Sequence, residues 1–324
     1  MIRALIFGFL LFFIPITQTF AASMGIVTGS TKGTYYQFGL NLASLLERND
    51  ISLDVSASNG SVENIYAVYK RPNTQLGIVQ ADVLAFVSRV QTDPVLKKIA
   101  QKIKMVFPLY NEEIHLVGQN TLQSFSDLQG KRVAIGKEGS GTYLTAQLLF
   151  EISGIRPSEK ITIGTNDALQ ALKEGTVDAM FYVAGYPVKL LSSEITAEDN
   201  LSLLSILDKE IINFYPQTTI PAETYSWQQE DVPTVAVKAV LISFNFRYAN
   251  CQNVGRAGQL IYENMDWLKQ HGHPKWLAVD LNYPLKGWQQ YDCVKKRLVH
   301  SSFVPNTTDE VNPVLQAIKG VLQE

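Results

Sequence analysis

The chain is dominated by a regular alternation of short apolar runs with longer amphipathic patterns, and this alternation most constrains the fold. Within residues 25–90, three apolar runs predict strands, and the stretches between them predict helices. The predicted helix 34–48, for example, places Phe38, Leu42 and Leu45 on one face. Strand–helix–strand order favours a parallel sheet covered by helices, so we predict an α/β protein.

The alternation restarts after residue 112, which predicts a second α/β unit of similar size. Its predicted helix 142–153 ends at Gly154, a residue typical of helix C-termini. A long predicted strand, 235–244, and a helical, aromatic C-terminal part follow. We therefore predict two lobes joined by extended crossings. Lobe I consists of residues 23–111 and a returning segment, 234–324, and lobe II consists of residues 112–233.

Residues 1–22 have the layout of a cleaved signal peptide. Arg3 gives a positive start, and residues 4–16 form an uncharged apolar run. Thr19 and Ala21 are placed as the −3 and −1 residues of a cleavage site, with cleavage after Ala21 or one residue later. The apolar run is shorter than the roughly 20 residues of a membrane span, although an uncleaved anchor is the alternative. We predict export to the periplasm.

Charge and cysteine content narrow the class further. The full chain has 28 basic and 30 acidic side chains, and this balance disfavours a nucleic acid partner. Cys251 and Cys293 are its two cysteines. In an oxidising compartment such a pair favours a disulfide, and two buried free thiols are the alternative.

Four turns rich in glycine and hydroxyl residues follow predicted strands, at residues 28–36, 58–64, 80–82 and 139–143. Ligands bind at such strand ends in open parallel sheets. Glycine lets a ligand approach the backbone, and the helix N-termini that follow favour an anion. Each turn alone is also explained as a helix cap. Because the turns recur in both units, we predict one binding cleft between the lobes for a small anion.

Signatures of enzymes and metal sites are absent from the sequence. Ser140 is not framed by a Gly-x-Ser-x-Gly elbow, and the turn 136–142 lacks the lysine of a phosphate loop. His271 and His273 have no acidic or cysteine partner at ligand spacing. We therefore predict no catalytic residues, no cofactor and no metal.

Taken in order, the motifs of residues 24–245 resemble those of one family. They are Thr28-Gly29, Gly33-Thr34-Tyr35-Tyr36, Gly60-Ser61-Val62-Glu63-Asn64, Val79-Gln80-Ala81-Asp82, Glu113-Ile114-His115-Leu116-Val117, the run 128–136, Gly139-Ser140-Gly141-Thr142, Asp178-Ala179, Ala184-Gly185-Tyr186-Pro187, Ile220-Pro221-Ala222-Glu223-Thr224-Tyr225 and the run 231–237. The chain resembles the TAXI-type solute-binding proteins of tripartite ATP-independent periplasmic (TRAP) transporters. The C-terminal 80 residues match less clearly.

The resemblance implies a type II periplasmic-binding-protein fold, a ligand held between the lobes and delivery to a TRAP permease. It also implies a preference for glutamate, glutamine or a related dicarboxylate. The cleft residues that it implies are Thr28, Gly29, Thr34, Tyr36, Asn64, Gln80, Ser140, Gly141, Thr142, Tyr182 and Gly185.

Three lysines depart from the family's usual residues. Lys32 and Lys137 stand near the predicted cleft mouth, where they favour a more acidic ligand or are solvated rim charges. Lys238 stands where the family often has proline. The alternative function is a ligand-sensing periplasmic receptor, and an enzyme of the same fold would need a reactive group in the cleft. We expect a monomer.

Overall fold

A computed structural model of the protein describes residues 22–89, 93–285 and 288–298. The predicted signal peptide lies outside these residues, apart from Ala22. The strands are β1 Ala22–Val27, β2 Ile51–Ser56, β3 Leu76–Gln80, β4 Ile103–Gln119, β5 Arg132–Ala134, β6 Glu159–Ile161, β7 Ala179–Ala184, β8 Leu201–Leu203, β9 Gln217–Ile220 and β10 Val232–Phe244.

Helices flank these strands. They are α1 Thr34–Glu47, α2 Ser61–Lys70, α3 Ala81–Arg89, α4 Pro94–Ala100, α5 Gly141–Ser153, α6 Thr165–Lys173, α7 Lys189–Glu194, α8 Lys209–Ile212, α9 Tyr248–Glu263, α10 Met265–His271 and α11 Asp292–Leu298. Short 3-10 segments span Phe125–Leu128, Ala197–Asp199 and Pro274–Ala278. Within the described part of the chain, no helix is long and apolar enough to cross a membrane.

The strands form one curled sheet in the order β2-β1-β3-β10-β4-β7-β5-β6, with β8 paired to β4 and β9 paired to β10. In lobe I, β1 is parallel to β2 and β3. In lobe II, β5 is parallel to β6 and β7. The predicted two-lobed α/β fold with mostly parallel sheets is therefore confirmed.

Two long strands, β4 and β10, pass through both lobes. Residues 103–108 of β4 pair with the C-terminal part of β10, whereas residues 113–118 pair with β7. The ladder between the two long strands is irregular between Lys238 and Val240. An irregular two-stranded crossing resists bending less than a packed lobe does, so this crossing is where the lobes can hinge.

Each lobe has its own apolar core. Ile26 and Phe38 belong to the main cluster of lobe I, where α1 packs on the parallel strands. In lobe II, the rings of Phe125, Phe150 and Phe181 contact one another between α5 and β7. The two cores hold each lobe rigid on its own, which leaves the space between the lobes for a ligand.

The C-terminal helices pack onto lobe I. Leu260 of α9 and Trp276 belong to the same cluster as α1, and Trp276 stacks on Phe38 with 4.2 Å between ring centroids. Cys251 of α9 and Cys293 of α11 are joined by a disulfide, with their Cα atoms 5.5 Å apart. These contacts hold the C-terminal helices on lobe I.

Local differences from the sequence analysis have physical causes. The sequence predicts a strand over 114–117, whereas β4 begins at Ile103 and continues through Pro108. Proline donates no ladder hydrogen bond, and it is tolerated here beside the irregularity in the β4–β10 ladder. In the turn 58–64 the sequence favours the hydroxyl residue Ser61 as N-cap, whereas in the structure Gly60 takes that position with φ 116°, a conformation that favours glycine.

Candidate ligand-binding site

A cavity of about 610 Å³ lies between the two lobes. In lobe I it is lined by the turns after β1 and β2 and by the last residue of β3, and in lobe II by the turns after β5 and β6 and by the end of β7. These are the carboxyl ends of the parallel strands, the edge where open α/β sheets bind ligands. A volume of several hundred Å³ is typical of sites for small molecules.

Four described helices, α1, α2, α5 and α6, begin in the wall of this cavity. Their N-caps are Gly33, Gly60, Ser140 and Gly164, and of these only Ser140 accepts a capping hydrogen bond with its side chain. Helices α1 and α5 also carry no acidic residue in their first turns. Uncapped N–H groups and unneutralised helix dipoles make this wall attractive to an anion.

Seven of the eleven predicted cleft residues line the cavity: Gly29, Thr34, Gln80, Ser140, Gly141, Thr142 and Tyr182. The Thr142 hydroxyl also accepts the Val183 N–H at 3.1 Å, which fixes the start of α5 against β7. Residues as far apart in the chain as Gly29 and Tyr182 therefore line the same cavity, as expected for a single cleft between the lobes.

The other four predicted residues do not line the cavity: Thr28, Tyr36, Asn64 and Gly185. Buried Asn64 donates from Nδ2 to the carbonyl oxygens of Thr28 and Ile78, and the Thr28 hydroxyl donates to the Ser56 carbonyl. The Gly185 carbonyl accepts from Thr34 Oγ1 at 2.6 Å. In this structure Asn64, Thr28 and Gly185 therefore support the cavity wall from behind, and Tyr36 lies outside the lining.

Gln80 is the most exceptional polar group in this wall. Its side chain is 2% exposed, and its Nε2 has no hydrogen-bond partner among the described residues. Its amide packs so close to Gly141 that a Cβ on Gly141 would lie 1.3 Å from Gln80 Oε1. A buried N–H donor without a partner is costly, so a ligand acceptor at this point would gain a strong hydrogen bond.

The lobes also contact each other around the cavity. Lys137 Nζ donates to Asn59 Oδ1 at 3.0 Å, and Val62 N donates to the Gly139 carbonyl at 3.3 Å. On another side, the exposed Lys32 pairs with Glu194 at 2.7 Å. Exposed contacts of this kind add little stability, so they close the cleft without locking it.

Glu112 is a cavity residue that the sequence analysis missed. It is 2% exposed, and its Oε2 accepts a hydrogen bond from the Tyr35 hydroxyl at 2.6 Å. Burial raises the pKa of the Glu112 carboxyl well above its ordinary value, although the Tyr35 hydrogen bond opposes the shift. The signal was the pair of adjacent acidic residues Glu112 and Glu113 beside a predicted strand, and Glu112 was given no role in the cleft. The turn 162–167 after β6 was also missed.

Glu113 forms a buried ion pair on the other side of β4. Lys275 Nζ lies 2.6 Å from Glu113 Oε1 and 3.7 Å from the centre of the Tyr186 ring. Burial raises the pKa of Glu113 and lowers the pKa of Lys275, and the ion pair opposes both shifts. This pair joins the C-terminal part of lobe I to the hinge and to lobe II.

Among the residues that the structure describes, no group of three His, Cys, Asp or Glu is placed to hold a metal ion.

This combination of a two-lobed α/β architecture, two crossing strands and an inter-lobe cavity is that of the type II periplasmic-binding-protein fold. Residues 26–282 match the NMT1-like family, and the chain belongs to that family.

Solved structures show the same fold at low sequence identity. The structure of MatC from Rhodopseudomonas palustris with bound malate has a TM-score of 0.57 at 16% identity, over 95% of this chain and 100% of that chain. The periplasmic binding protein BugD has a TM-score of 0.57 at 10% identity, over 93% of this chain and 97% of that chain. At these identities the likeness establishes the fold.

Proposed function

We propose that this protein is an extracytoplasmic solute-binding protein that captures a small anionic metabolite and delivers it to a TRAP membrane permease. The observation that carries the proposal is the convergence of four helix N-termini and the unpaired Gln80 Nε2 on one cavity between the lobes, within the described part of the chain.

The chemistry of the wall favours a carboxylate as the anchoring group of the ligand. Backbone N–H groups at the starts of α1 and α5 are hydrogen-bond donors without an acidic residue in the same turn, and the Gln80 amide adds a buried donor without a partner among the described residues. Lys137 adds a positive charge at the cavity mouth. The motif resemblance to TAXI-type proteins supports glutamate, glutamine or a related dicarboxylate as the ligand.

The hinge supplies the mechanism of capture. An open form would expose the turns of both lobes, and closure about β4 and β10 would surround the ligand. Closure also changes the combined surface of lobes I and II. A permease can use this change to distinguish the loaded protein from the empty one. In this role the ligand leaves chemically unchanged, since no bond in it is made or broken.

A thermal-shift and calorimetric screen of the refolded chain against amino acids, dicarboxylates and keto acids tests the binding role. A ligand at 100 times its dissociation constant adds about 2.7 kcal/mol of stability. We expect a rise of the unfolding midpoint of several degrees, confined to glutamate-like compounds. If no compound in the panel raised the unfolding midpoint, the proposed ligand class would be contradicted. Chemical conversion of the ligand during incubation would contradict a binding role.

Delivery is tested in vesicles that contain a TRAP permease encoded beside this chain. We expect uptake of the bound solute only when the binding protein is present. Specific association of the loaded protein with a sensor kinase instead of the permease would favour the receptor alternative.

A further inference from the structure

We infer that the natural ligand carries a protonated amine as well as a carboxylate, and that Glu112 is the residue that recognises the amine. This inference rests on the proposed function, because it assigns the ligand class of the same cavity. It separates amino acids such as glutamate and glutamine from dicarboxylates and keto acids, which the helix N-termini alone do not distinguish.

Glu112 presents one carboxylate oxygen toward a ligand. The side chain lines the cavity, and its Oε2 is engaged by the Tyr35 hydroxyl at 2.6 Å. Its Oε1 accepts no hydrogen bond from any residue that the structure describes. A carboxylate anchored through one oxygen by a buried tyrosine is held in a fixed orientation, as a recognition group must be.

No cation among the described residues forms an ion pair with Glu112. The ammonium of Lys275 acts on Glu112 from a distance but is paired with Glu113 at 2.6 Å, and Lys137, which lines the same cavity, donates to Asn59 at 3.0 Å. The titratable groups that act electrostatically on Glu112 are Tyr35 of α1, Asp82 of α3, Tyr110 and Glu113 of β4, Tyr182 of β7 and Lys275 of the 3-10 segment Pro274–Ala278. Two of these groups are acids, and one is a lysine that another acid holds.

Burial raises the pKa of the Glu112 carboxyl, and a further positive charge beside it would lower that pKa. Desolvation disfavours the ionised form, and an adjacent cation favours it. A ligand ammonium placed on Oε1 would supply the missing charge and form a buried, hydrogen-bonded ion pair. A dicarboxylate or keto acid would leave Glu112 protonated and would gain no ion pair there.

The two halves of the recognition are therefore complementary. Helix N-termini and the Gln80 amide bind the ligand carboxylate, and Glu112 binds its amine. The raised pKa of Glu112 favours its protonated form in the free protein, whereas pairing with the ligand ammonium favours the carboxylate, so binding shifts this carboxyl towards release of its proton to solvent. Binding of an amino acid thus releases one proton below the raised pKa of Glu112, and affinity increases with pH up to that pKa.

Isothermal titration of the full chain tests this inference. The panel pairs each common amino acid with the acid that lacks its amine, for example glutamate with glutarate, and with the matching keto acid. We expect the natural amino acid to bind at least about 30-fold tighter than its amine-free partner, the range expected for losing one side of a buried charge pair. Titrations at several pH values, each in buffers of different ionisation enthalpy, should report proton release on binding at a pH below the raised pKa of Glu112.

Glu112→Gln keeps the size and the Tyr35 contact but cannot ionise. We expect it to lose at least about 30-fold in affinity for the amino acid, to keep its affinity for the amine-free partner and to abolish proton release. Glu151→Gln, the same change at an exposed position on α5, should alter none of these. If Glu112→Gln does not fold, the selectivity and the proton release of the unaltered protein still decide the question.

The outcomes separate the inference from the proposed function. Equal or tighter binding of a dicarboxylate or keto acid would overturn the inference and leave the solute-binding role intact. Tight amino acid binding without proton release, or with unchanged selectivity in Glu112→Gln, would also overturn it. If nothing in the panel binds, the proposed ligand class fails, and the inference fails with it.

Discussion

Glu112 and Glu113 are neighbours in β4, yet their carboxyl groups lie in opposite surroundings because successive strand residues point to opposite faces. Glu113 is paired with Lys275 in a buried, dry contact that joins three parts of the chain. Glu112 faces the inter-lobe cavity with a tyrosine hydroxyl and forms no ion pair with a described residue. The comparison teaches that adjacent glutamates on one strand can differ in role: one forms a buried ion pair, and the other is open to the cavity, where we propose that it recognises a ligand.

The largest expected effect is the loss of stability when the buried ion pair between Glu113 and Lys275 is broken. Lys275→Met leaves the Glu113 carboxyl buried without its partner, and removal of one side of a buried ion pair costs about 3–5 kcal/mol. Urea unfolding measures the loss. Lys32→Met, which breaks the exposed pair with Glu194, is the matched control and should give no measurable change. A similar small change for both variants would refute the contrast between the buried and the exposed pair.

A second substitution, in the wall of the cavity, should lower ligand affinity without unfolding the protein. In Gly141→Ala the new Cβ would lie 1.3 Å from Gln80 Oε1, so the Gln80 amide must leave its place in the wall. We expect about a tenfold or larger loss of ligand affinity, the cost of one displaced buried hydrogen-bonding group. Calorimetry measures the loss.

Gly164→Ala is the control for this change, because its Cβ would come no closer than 3.5 Å to Asp167 Oδ2. It should cost clearly less affinity than Gly141→Ala. Equal losses would mean that the close approach of Gly141 to Gln80 is unimportant for binding.

The pH dependence of stability sharpens the comparison further. The pKa of Glu112 is raised by burial in the folded state, so folding is favoured when the group is protonated. Its contribution is fully present below the unfolded pKa of about 4.3 and is lost as pH rises through the folded pKa. In the absence of ligand, the stability of the unaltered protein relative to Glu112→Gln should therefore fall as pH rises across this window. A flat or rising difference in urea titrations would contradict the raised pKa.

The smallest expected effect is that of Tyr35→Phe. It removes the hydroxyl that donates to Glu112 at 2.6 Å, and a hydrogen bond of this kind contributes about 1 kcal/mol to stability. Because that hydrogen bond opposes the rise of the Glu112 pKa, its loss should move the pKa further up. Unfolding titrations of the variant at several pH values check both points, and an unchanged pH profile would show that Tyr35 does not act on Glu112.

Much of the fold could be predicted because its signals are local. Apolar spacing in α1 and α5 and glycines such as Gly154 predict helix positions from neighbouring residues. The strand β4 was predicted too short because its first half, 103–113, contains Pro108 and polar residues that read as a connection. Its strand conformation depends on pairing with β10, more than a hundred residues further along the chain.

In the candidate site, too, neighbouring residues predict only part of what the structure shows. Asn64 and Gln80 are both amide side chains next to strand ends, and the sequence predicts both as cleft residues. In the structure Asn64 reaches two backbone carbonyls behind the wall, whereas the Nε2 of Gln80 has no partner among the described residues and lines the cavity. Whether each amide is hydrogen-bonded to the backbone or left unpaired depends on which carbonyl groups lie within reach, and those positions are set only in the folded chain.

The sequence by itself determined the α/β alternation, the two units and the glycine- and hydroxyl-rich turns at the strand ends, because these follow from backbone preferences and periodicity over short stretches. Only the tertiary structure decided which turn residues meet at the cavity and how the two adjacent glutamates differ. Lys275 is separated from Glu113 by 162 residues, and only folding brings this cation to one carboxyl and leaves the other facing the cavity. Burial and charge pairing are set by such distant contacts, so they cannot be predicted from neighbouring residues alone.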